Sequence, residues 1–398
     1  MKAKMGIFAL ALAVAVGLGA GLVFWLNNQN QTQAETKPAV VNTSSSSSQS
    51  SSQVQSKAQS SSKKRPSRPR NTAATRRIDA VLRANRFVGT ALVVRQGKTV
   101  YEKGFGYANY GTHQKNGRNT EYQLASVQKS FTAGLIMKLA AEKKLALSDK
   151  LAKYYPQIDG GDAITLRDML DMKSGLTFTA FPNRVRSEKQ MLKFILQNVV
   201  SDPDKIGQWN YSPVNFMLLA GIIQKVSGQS YRQYFTTNIT QAFGLHHTGF
   251  TFNMDQQHDY AHGYTNGNAN DVVPTYAHQY GESLTSKYYQ FGTGQVYMSA
   301  HDLYVGERDM LQGQLYPQAD VNVLLTPGTA STYGGGAYIE PGYIRLHGLA
   351  YGHEASALLS KDGRDGVVLL TNYYRPNQLA QTAAVQIWNL LEAGQLGK

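Results

Sequence analysis

Residues 124–139, LASVQKSFTAGLIMKL, carry the pattern on which the fold and the chemistry of this chain depend. Apolar side chains recur in it at positions 124, 127, 131, 135 and 139, and this spacing predicts a helix with one buried face. Residues three apart share a helix face, so Lys129 can bring its amine toward the hydroxyl of Ser126. A serine hydroxyl needs a neighbouring base to become a nucleophile, and this pair can supply one.

The Ser-x-x-Lys spacing is weak evidence by itself, because Ser60/Lys63 and Ser61/Lys64 match it inside a serine-rich tract. On spacing alone, an ordinary helix with a surface lysine is the commoner interpretation. Ser126 is the match that lies in sequence patterned like a folded domain.

Strand patterns occur at both ends of that folded part, around a helical middle. The pattern predicts a helix over residues 76–86, a β-hairpin over 90–103 and mainly helices over 125–243. Further strands are predicted at residues 343–346, 353–360 and 367–372, and a closing helix at 378–392. The expected fold is therefore α+β, an α/β sandwich in which helices pack on one antiparallel sheet and form a second, all-helical lobe. A cleft between the lobes would hold the site.

The N-terminal part is expected to reach a membrane. Residues 5–26 carry no charge and are almost wholly apolar, and at ~1.5 Å per residue they span about 33 Å, enough to cross a bilayer. Lys2 and Lys4 precede them, which favours an N-terminus inside and the rest outside. We predict a membrane anchor or signal segment over 1–26, and an uncleaved anchor is favoured over a cleaved signal peptide. Either form exports the chain.

Residues 27–73 are rich in Ser and Gln and end in a basic run at 63–70. Such a segment cannot bury a core, so it predicts a disordered linker before a domain over 74–398. The basic run suits contact with anionic head groups or wall polymers, and equally a simple solvated charge run.

The charge and the cysteine count restrict the partners. The formal net charge is +14, but residues 1–72 hold nine basic residues and one acidic residue, which leaves +6 for the remainder. That mildly basic domain carries no nucleic-acid motif, so no nucleic-acid partner is expected. The chain has no cysteine, so thiolate chemistry and disulfides are excluded.

Taken together, the folded part resembles the serine β-lactamase and penicillin-binding-protein superfamily. Within it, the resemblance is to the class C-like branch of β-lactamases, D,D-carboxypeptidases and esterases, over roughly residues 76–395. Six segments lie in the family's order: 124–133, 146–156, 164–176, 209–223, 243–250 and 298–303.

The resemblance implies roles for three side chains. Ser126 would attack a carbonyl and become acylated, Lys129 would assist its deprotonation, and Tyr211 would relay the proton to the leaving group. Backbone N–H groups of Ser126 and of a residue on a returning strand would form an oxyanion hole. The family needs no cofactor, and no spacing here predicts a metal site.

Two departures from the family pattern change the expected substrate. The asparagine two residues after the tyrosine is replaced by Pro213, with Asn215 nearby as a possible substitute. The third motif fits best at residues 353–355, where His353 and Glu354 would contact substrate and the Ser356 N–H would complete the oxyanion hole. The alternative register, 346–348, keeps the glycine but ends a strand instead of opening one, and would use the backbone of Leu349.

In D,D-peptidases and β-lactamases, the third-motif cation and hydroxyl hold the substrate's free carboxylate. In the preferred register an acid, Glu354, replaces the hydroxyl and would disfavour a second carboxylate. An ester whose acyl group ends in an ammonium fits better, and D-alanine esterified to teichoic acid is such an ester. The chain is similar to D-alanyl-lipoteichoic-acid esterases of Gram-positive bacteria, and Glu354 would meet the ammonium unless it is an exposed strand residue or merely orients His353.

Three functions therefore stay open at the level of sequence. The favoured one is a serine hydrolase tethered to the outer face of a Gram-positive cell membrane by one pass, which removes D-alanine from lipoteichoic acid. The second is a D,D-carboxypeptidase that trims peptidoglycan stems. The third is a non-catalytic wall-binding homologue, which Pro213 and Glu354 favour and the joint presence of Ser126, Lys129 and Tyr211 disfavours.

Overall fold

A computed structural model describes residues 72–268 and 270–396. The predicted anchor at 1–26, and the predicted linker up to residue 71, lie outside the described residues. Within the described ranges, no helix combines the length and the apolar character needed to cross a membrane.

The α-helices are numbered here in chain order. They are α1 (Ala73–Ala84), α2 (Gln128–Ala141), α3 (Leu166–Leu170), α4 (Glu188–Asn198), α5 (Val214–Ser227), α6 (Tyr231–Phe235), α7 (Leu284–Tyr289), α8 (Ala300–Leu311), α9 (Gln318–Leu324) and α10 (Ala380–Glu392).

The strands are numbered in the same way. They are β1 (Gly89–Arg95), β2 (Lys98–Phe105), β3 (Tyr107–Asn109), β4 (Gln114–Lys115), β5 (Tyr122–Gln123), β6 (Leu176–Thr177), β7 (Val200–Ser201), β8 (Thr248–Phe250), β9 (Tyr264–Thr265), β10 (His278–Gln279), β11 (Val296–Met298), β12 (Tyr333–Gly334), β13 (Ala337–Ile339), β14 (Tyr343–Ala350), β15 (His353–Ser360), β16 (Gly366–Thr371) and β17 (Tyr373–Tyr374).

The main sheet has seven strands in the order β12-β13-β14-β15-β16-β1-β2. Every neighbouring pair in it is antiparallel, and β1 from the start of the domain pairs with β16 from its end. The predicted antiparallel sheet built from both ends of the domain is therefore confirmed.

Strand alternation gives this sheet two buried faces. On one face, Val93, Leu358 and Leu369 pack with residues of α1 and α10, including Trp388. On the other face, Leu92, Leu346, Ala357 and Leu359 join the larger core that contains α2 and α5. The sheet thus separates a two-helix layer from the helices that carry the Ser-x-x-Lys motif.

Helix α2 is more deeply buried than its sequence predicts. The apolar spacing predicted one buried face, but Gln128, Lys129, Thr132 and Gly134 are buried as well. Helix α2 contacts α5, α8 and α9, so its polar side chains face protein instead of water and must find partners there. The middle of the chain is also not wholly helical, since β6 and β7 form a small sheet of their own.

Candidate active site

Ser126 lies in a short 3-10 turn, Ala125–Val127, directly before α2. The preceding residue, Ala125, has φ of +47°, a left-handed conformation that costs free energy for a residue with a Cβ and that clusters at functional sites. The turn holds Ser126 at the N-terminal end of α2, and the first turn of the helix places Lys129 beside it. The Lys129 Nζ lies 2.8 Å from the Ser126 Oγ.

Tyr211 reaches the same point from the loop before α5. Its neighbour Asn210 donates its backbone N–H to the carbonyl of Met172 at 2.8 Å, which anchors the loop. The Tyr211 hydroxyl lies 2.9 Å from the Ser126 Oγ and 2.9 Å from the Lys129 Nζ. The structure therefore brings Ser126, Lys129 and Tyr211 into one closed hydrogen-bonded triangle.

Burial sets the protonation of this triangle. Lys129 is 1% exposed, and burial lowers the pKa of its ammonium to about 7, because a charged group loses its hydration there. Burial raises the pKa of the Tyr211 phenol to about 12, against the lowering effect of its hydrogen bond with Ser126. At neutral pH a substantial fraction of Lys129 is thus a free amine able to accept the Ser126 proton, while Tyr211 remains a proton donor.

The strand beside Ser126 is β14, at Gly348. A Cβ built on Gly348 would collide with the carbonyl of Leu124 and would lie 2.8 Å from the Ser126 backbone nitrogen. Only glycine allows this approach. The register 346–348 is therefore the one that borders Ser126.

The oxyanion hole can be placed by strand alternation. The Tyr343 carbonyl accepts the N–H of Glu340 on the β13 side, and residues of equal parity along β14 direct their N–H groups to that same side. The β13 pairing ends at Arg345, so the N–H of Leu349 points to the open edge of β14. The candidate oxyanion donors are the N–H groups of Ser126 and Leu349.

The predicted donor Ser356 does not agree with this geometry. It lies in β15, which pairs with β14 on one side and with β16 on the other, so its backbone belongs to the interior of the sheet. The preferred register 353–355 is therefore wrong. Sequence could not separate the registers, because both strands have similar patterns and only tertiary packing decides which one borders the nucleophile.

Glu354 is also placed away from Ser126. It pairs with Leu349 across the ladder, on the face opposite to the one that Gly348 and Ala355 share. Its carboxylate accepts the backbone N–H groups of Ala380 at 2.9 Å and Gln381 at 3.0 Å, at the start of α10. The His347 Nε2 lies 3.1 Å from it. Glu354 therefore caps the start of α10. The structure does not place it where it would meet the ammonium of the substrate, the contact that the sequence predicts.

His353 and Asn215 are buried in contacts of their own. The His353 Nε2 lies 3.2 Å from the Tyr260 hydroxyl, and burial lowers the pKa of the imidazole to about 3. Asn215 is 1% exposed; its amide donates to the Ser212 carbonyl at 3.0 Å and accepts from the Ser174 hydroxyl at 2.6 Å. Asn215 fixes the turn that holds Tyr211 and Pro213, so it positions the site instead of binding substrate.

A glycine-rich hairpin that the sequence did not predict as part of the site packs against α2 and Tyr211. Residues 333–338, YGGGAY, form the hairpin between β12 and β13. A Cβ on Gly336 would lie 2.6 Å from the Ser130 nitrogen, so the hairpin is seated against α2. The Tyr333 ring meets the Tyr211 ring edge-on at 6.0 Å. The run of three glycines was the available signal for such a close approach.

A buried acid lies beneath α2. Glu307 of α8 contacts the Ser130 hydroxyl, which also donates to the Val127 carbonyl at 2.8 Å. One hydroxyl has one proton, so Ser130 can donate to only one of these two oxygens at a time; a protonated Glu307 satisfies both contacts, because it donates to Ser130 while Ser130 donates to Val127. Burial raises the pKa of Glu307 to about 8, in agreement with a neutral acid that supports the first turn of α2.

The fold agrees with comparisons to known proteins. Residues 74–392 match the protein family described as Beta-lactamase, and the chain belongs to that family. It is 33% identical, over 322 residues, to a putative penicillin-binding protein PbpX of Bacillus subtilis, covering 81% of this chain and 80% of the relative. It is 28% identical over 283 residues to a teichoic acid D-alanine hydrolase of Staphylococcus aureus, covering 70% and 68% respectively.

A solved structure shows the same architecture. The crystal structure of FmtA from Staphylococcus aureus aligns with a TM-score of 0.69 at 25% identity, over 82% of this chain and 90% of that one. Family and geometry together define a serine hydrolase of the penicillin-binding-protein and β-lactamase class.

Proposed function

We propose that this protein hydrolyses the ester between D-alanine and teichoic acid, through an acyl-enzyme on Ser126. The observation that carries the proposal is the composition of β14 where it faces the nucleophile. Its residues on that face are Ile344, Leu346, Gly348 and Ala350, all apolar.

That apolar face argues against a substrate with a free carboxylate. In the β-lactamases and D,D-peptidases that the sequence resembles, this strand supplies a cation and a hydroxyl to such a carboxylate. Here Leu346 takes the position of the cation, and His347 turns to the opposite face, toward Glu354. A buried carboxylate without a cation is costly, whereas a D-alanyl ester presents none.

The acylation step follows from the triangle. The neutral Lys129 amine accepts the Ser126 proton as the Oγ attacks the ester carbonyl. Charge develops on the carbonyl oxygen between the N–H groups of Ser126 and Leu349, which stabilise it. The C–O bond to the polyol then breaks, and Tyr211 donates its proton to the departing hydroxyl while Lys129 returns a proton to Tyr211.

Deacylation uses the same groups in reverse. A water molecule takes the place of the departed polyol and gives its proton to the Tyr211–Lys129 pair. It attacks the D-alanyl ester of Ser126, the Ser126 Oγ recovers a proton, and free D-alanine leaves.

The relatives support a wall-polymer substrate, because one of them is named a teichoic acid D-alanine hydrolase. The apolar, uncharged segment 5–26 supports a place outside the membrane with an N-terminal tether. We include that location in the proposal, since lipoteichoic acid is rooted in the same membrane surface.

The proposal is tested by D-alanine release. The full-length chain and its Ser126→Ala variant are each incubated with D-alanylated lipoteichoic acid and, separately, with a muropeptide that ends in D-Ala-D-Ala. We expect release from lipoteichoic acid alone, and none from Ser126→Ala. Release from the muropeptide alone would replace the esterase with a D,D-carboxypeptidase, the second function that the sequence left open.

A further inference from the structure

The segment between β6 and α4 borders the proposed active site. At its start, β6 pairs with β7, and the chain after β7 leads to Tyr211. At its end, the Val185 N–H donates to the Thr285 hydroxyl of α7 at 3.3 Å. Between them, the Phe178 ring stacks on the Tyr289 ring at 5.9 Å.

The chain that follows helix α7 passes close to the turn that holds the nucleophile. The residues after it include Gly294, where a built Cβ would lie 3.4 Å from the Ala125 Cα. The segment of residues 178–187 therefore connects the β6–β7 pair, which precedes Tyr211 in the chain, with helix α7, which precedes the residue that lies against Ala125.

Four cations occur in this part of the chain, Arg184 and Arg186 in the segment and Lys189 and Lys193 in the first turns of α4. We call these four residues the basic border. All four are exposed. Arg184 and Arg186 flank the buried Val185, and Lys189 and Lys193 are four residues apart on α4, so they lie on one helix face.

The charges of the basic border are not neutralised by neighbouring acids. In the described part of the chain, no carboxylate forms an ion pair with any of the four. Glu188, which lies between them in sequence, is turned inward: its carboxylate accepts from Arg232 at 2.9 Å and from Gln224 at 2.7 Å, and the residue is 6% exposed. Folding thus turns the carboxylate of Glu188 away from the four cations, which stay exposed to solvent.

Stability does not account for this arrangement. Four like charges in one border repel one another, and a lysine in the first turn of α4 gains nothing from the helix dipole, whose positive end lies there. A ligand with repeated negative charge would reverse both costs.

We infer that the basic border binds the phosphodiester backbone of the polymer while Ser126 attacks a D-alanyl ester on one of its polyols. This inference rests on the proposed function and deepens it, because it assigns recognition to the polyanion chain outside the cleft. Phosphate contacts of this kind add affinity without reading the reacting group. The cleft then has to accommodate only the small D-alanyl ester.

The test compares two charge-matched variants of the full-length chain. One carries Arg184→Gln, Arg186→Gln, Lys189→Gln and Lys193→Gln. The control carries Lys98→Gln, Lys143→Gln, Lys361→Gln and Arg364→Gln, which are exposed residues in or beside turns outside the site. Both keep the basic run at 63–70, so its contribution cancels.

Two substrates separate polymer recognition from chemistry. For D-alanylated poly(glycerol phosphate), the border variant should raise KM about tenfold or more at low salt, and the log–log salt slope of binding should fall by up to about 3 for four lost contacts. For D-alanyl glycerol, which has no phosphate, its kcat/KM should equal that of the control. Equal KM and equal salt slopes for the two variants on the polymer would overturn the inference.

A direct binding measurement covers the remaining outcomes. Binding of poly(glycerol phosphate) without D-alanine to Ser126→Ala, with and without the border substitutions, needs no turnover. If the wild type releases no D-alanine, the proposed function fails, yet weaker binding in the border variant still supports the polyanion site. If the fourfold variant loses activity on D-alanyl glycerol too, the Arg184→Gln/Arg186→Gln variant takes its place, and unchanged polymer binding there would refute the inference.

Discussion

The protonation of Lys129 decides at which pH Ser126 can react. Because burial lowers the pKa of Lys129 to about 7, the free amine predominates only above that pH. We therefore expect kcat/KM for a D-alanyl ester to rise as pH increases through about 7.

Substitution of Lys129 checks this assignment. Lys129→Arg keeps a cation that does not deprotonate, so it should lower kcat by about 10²–10⁴-fold, the typical loss of a general base. Lys138→Arg, on the same helix and paired with Glu142 at 2.8 Å, should keep the wild-type profile. A flat pH profile in the wild type would contradict the role of Lys129.

Gly348 is the second residue on which the site depends, because the space beside the Ser126 nitrogen admits no side chain. Gly348→Ala would push β14 away from the Ser126 nitrogen and move the Leu349 N–H out of the oxyanion hole. We expect a loss of about 10²–10³-fold in kcat, as for removal of one oxyanion donor. The matched control is Gly117→Ala, where a built Cβ meets nothing within 4 Å. Full activity of Gly348→Ala would restore the rival register at 353–355.

At the scale of elements, Glu354 links β15 to the start of α10. Glu354→Ala would leave the N–H groups of Ala380 and Gln381 without this acceptor, and an unsatisfied buried group costs about 1–3 kcal/mol. We expect the free energy of unfolding to fall by roughly that amount, while kcat/KM for D-alanyl glycerol stays unchanged. Urea unfolding and steady-state kinetics measure the two effects. A stable variant with a raised KM would instead make Glu354 a substrate-binding residue.

Glu307 links α8 to α2 in a pH-dependent way. Its pKa is raised from 4.5 to about 8 in the folded state, so between these values the native protein binds more protons than the unfolded chain. The free energy of unfolding should therefore fall as pH rises from about 4.5 to about 8, at most by about 1.4 kcal/mol per pKa unit.

Glu307→Gln keeps a neutral donor to Ser130 and removes this dependence. The variant should match the wild type near pH 5 and exceed it in stability at pH 8, as measured by urea unfolding at both values. A wild type that is more stable than Glu307→Gln at pH 8 would show that the carboxylate is ionised and tolerated.

Local patterns predicted some elements and not others. The Ser126–Lys129 contact depends on positions three apart across the 3-10 turn and the first turn of α2, and the hairpin β1–β2 depends on a turn and strand alternation, so both could be predicted. The choice between residues 346–348 and 353–355 depends on which strand packs against Ser126. The burial of Glu354 depends on α10, which begins 26 residues later in the chain. Both depend on tertiary contacts, which the local spacing of residues does not predict.

At the scale of the whole molecule, a hydrolase domain follows an N-terminal segment that is predicted to tether it. Removal of residues 1–71 should leave kcat/KM for D-alanyl glycerol unchanged, since the site is built from residues 124 onward. The rate on lipoteichoic acid embedded in vesicles should fall, because the tether no longer concentrates the enzyme at that surface. Equal rates on vesicles with and without residues 1–71 would argue against a tether.

In the proposed reaction Ser126 carries D-alanine taken from teichoic acid, and this covalent adduct can be detected directly. Full-length protein is mixed briefly with D-alanylated lipoteichoic acid, quenched in acid, digested and analysed by mass spectrometry. We predict a peptide spanning residue 126 that is heavier by one alanyl group, with the modification on the Ser126 Oγ and absent from Ser126→Ala. An unmodified Ser126 with lipoteichoic acid, together with an adduct formed from a D-Ala-D-Ala muropeptide, would contradict the account.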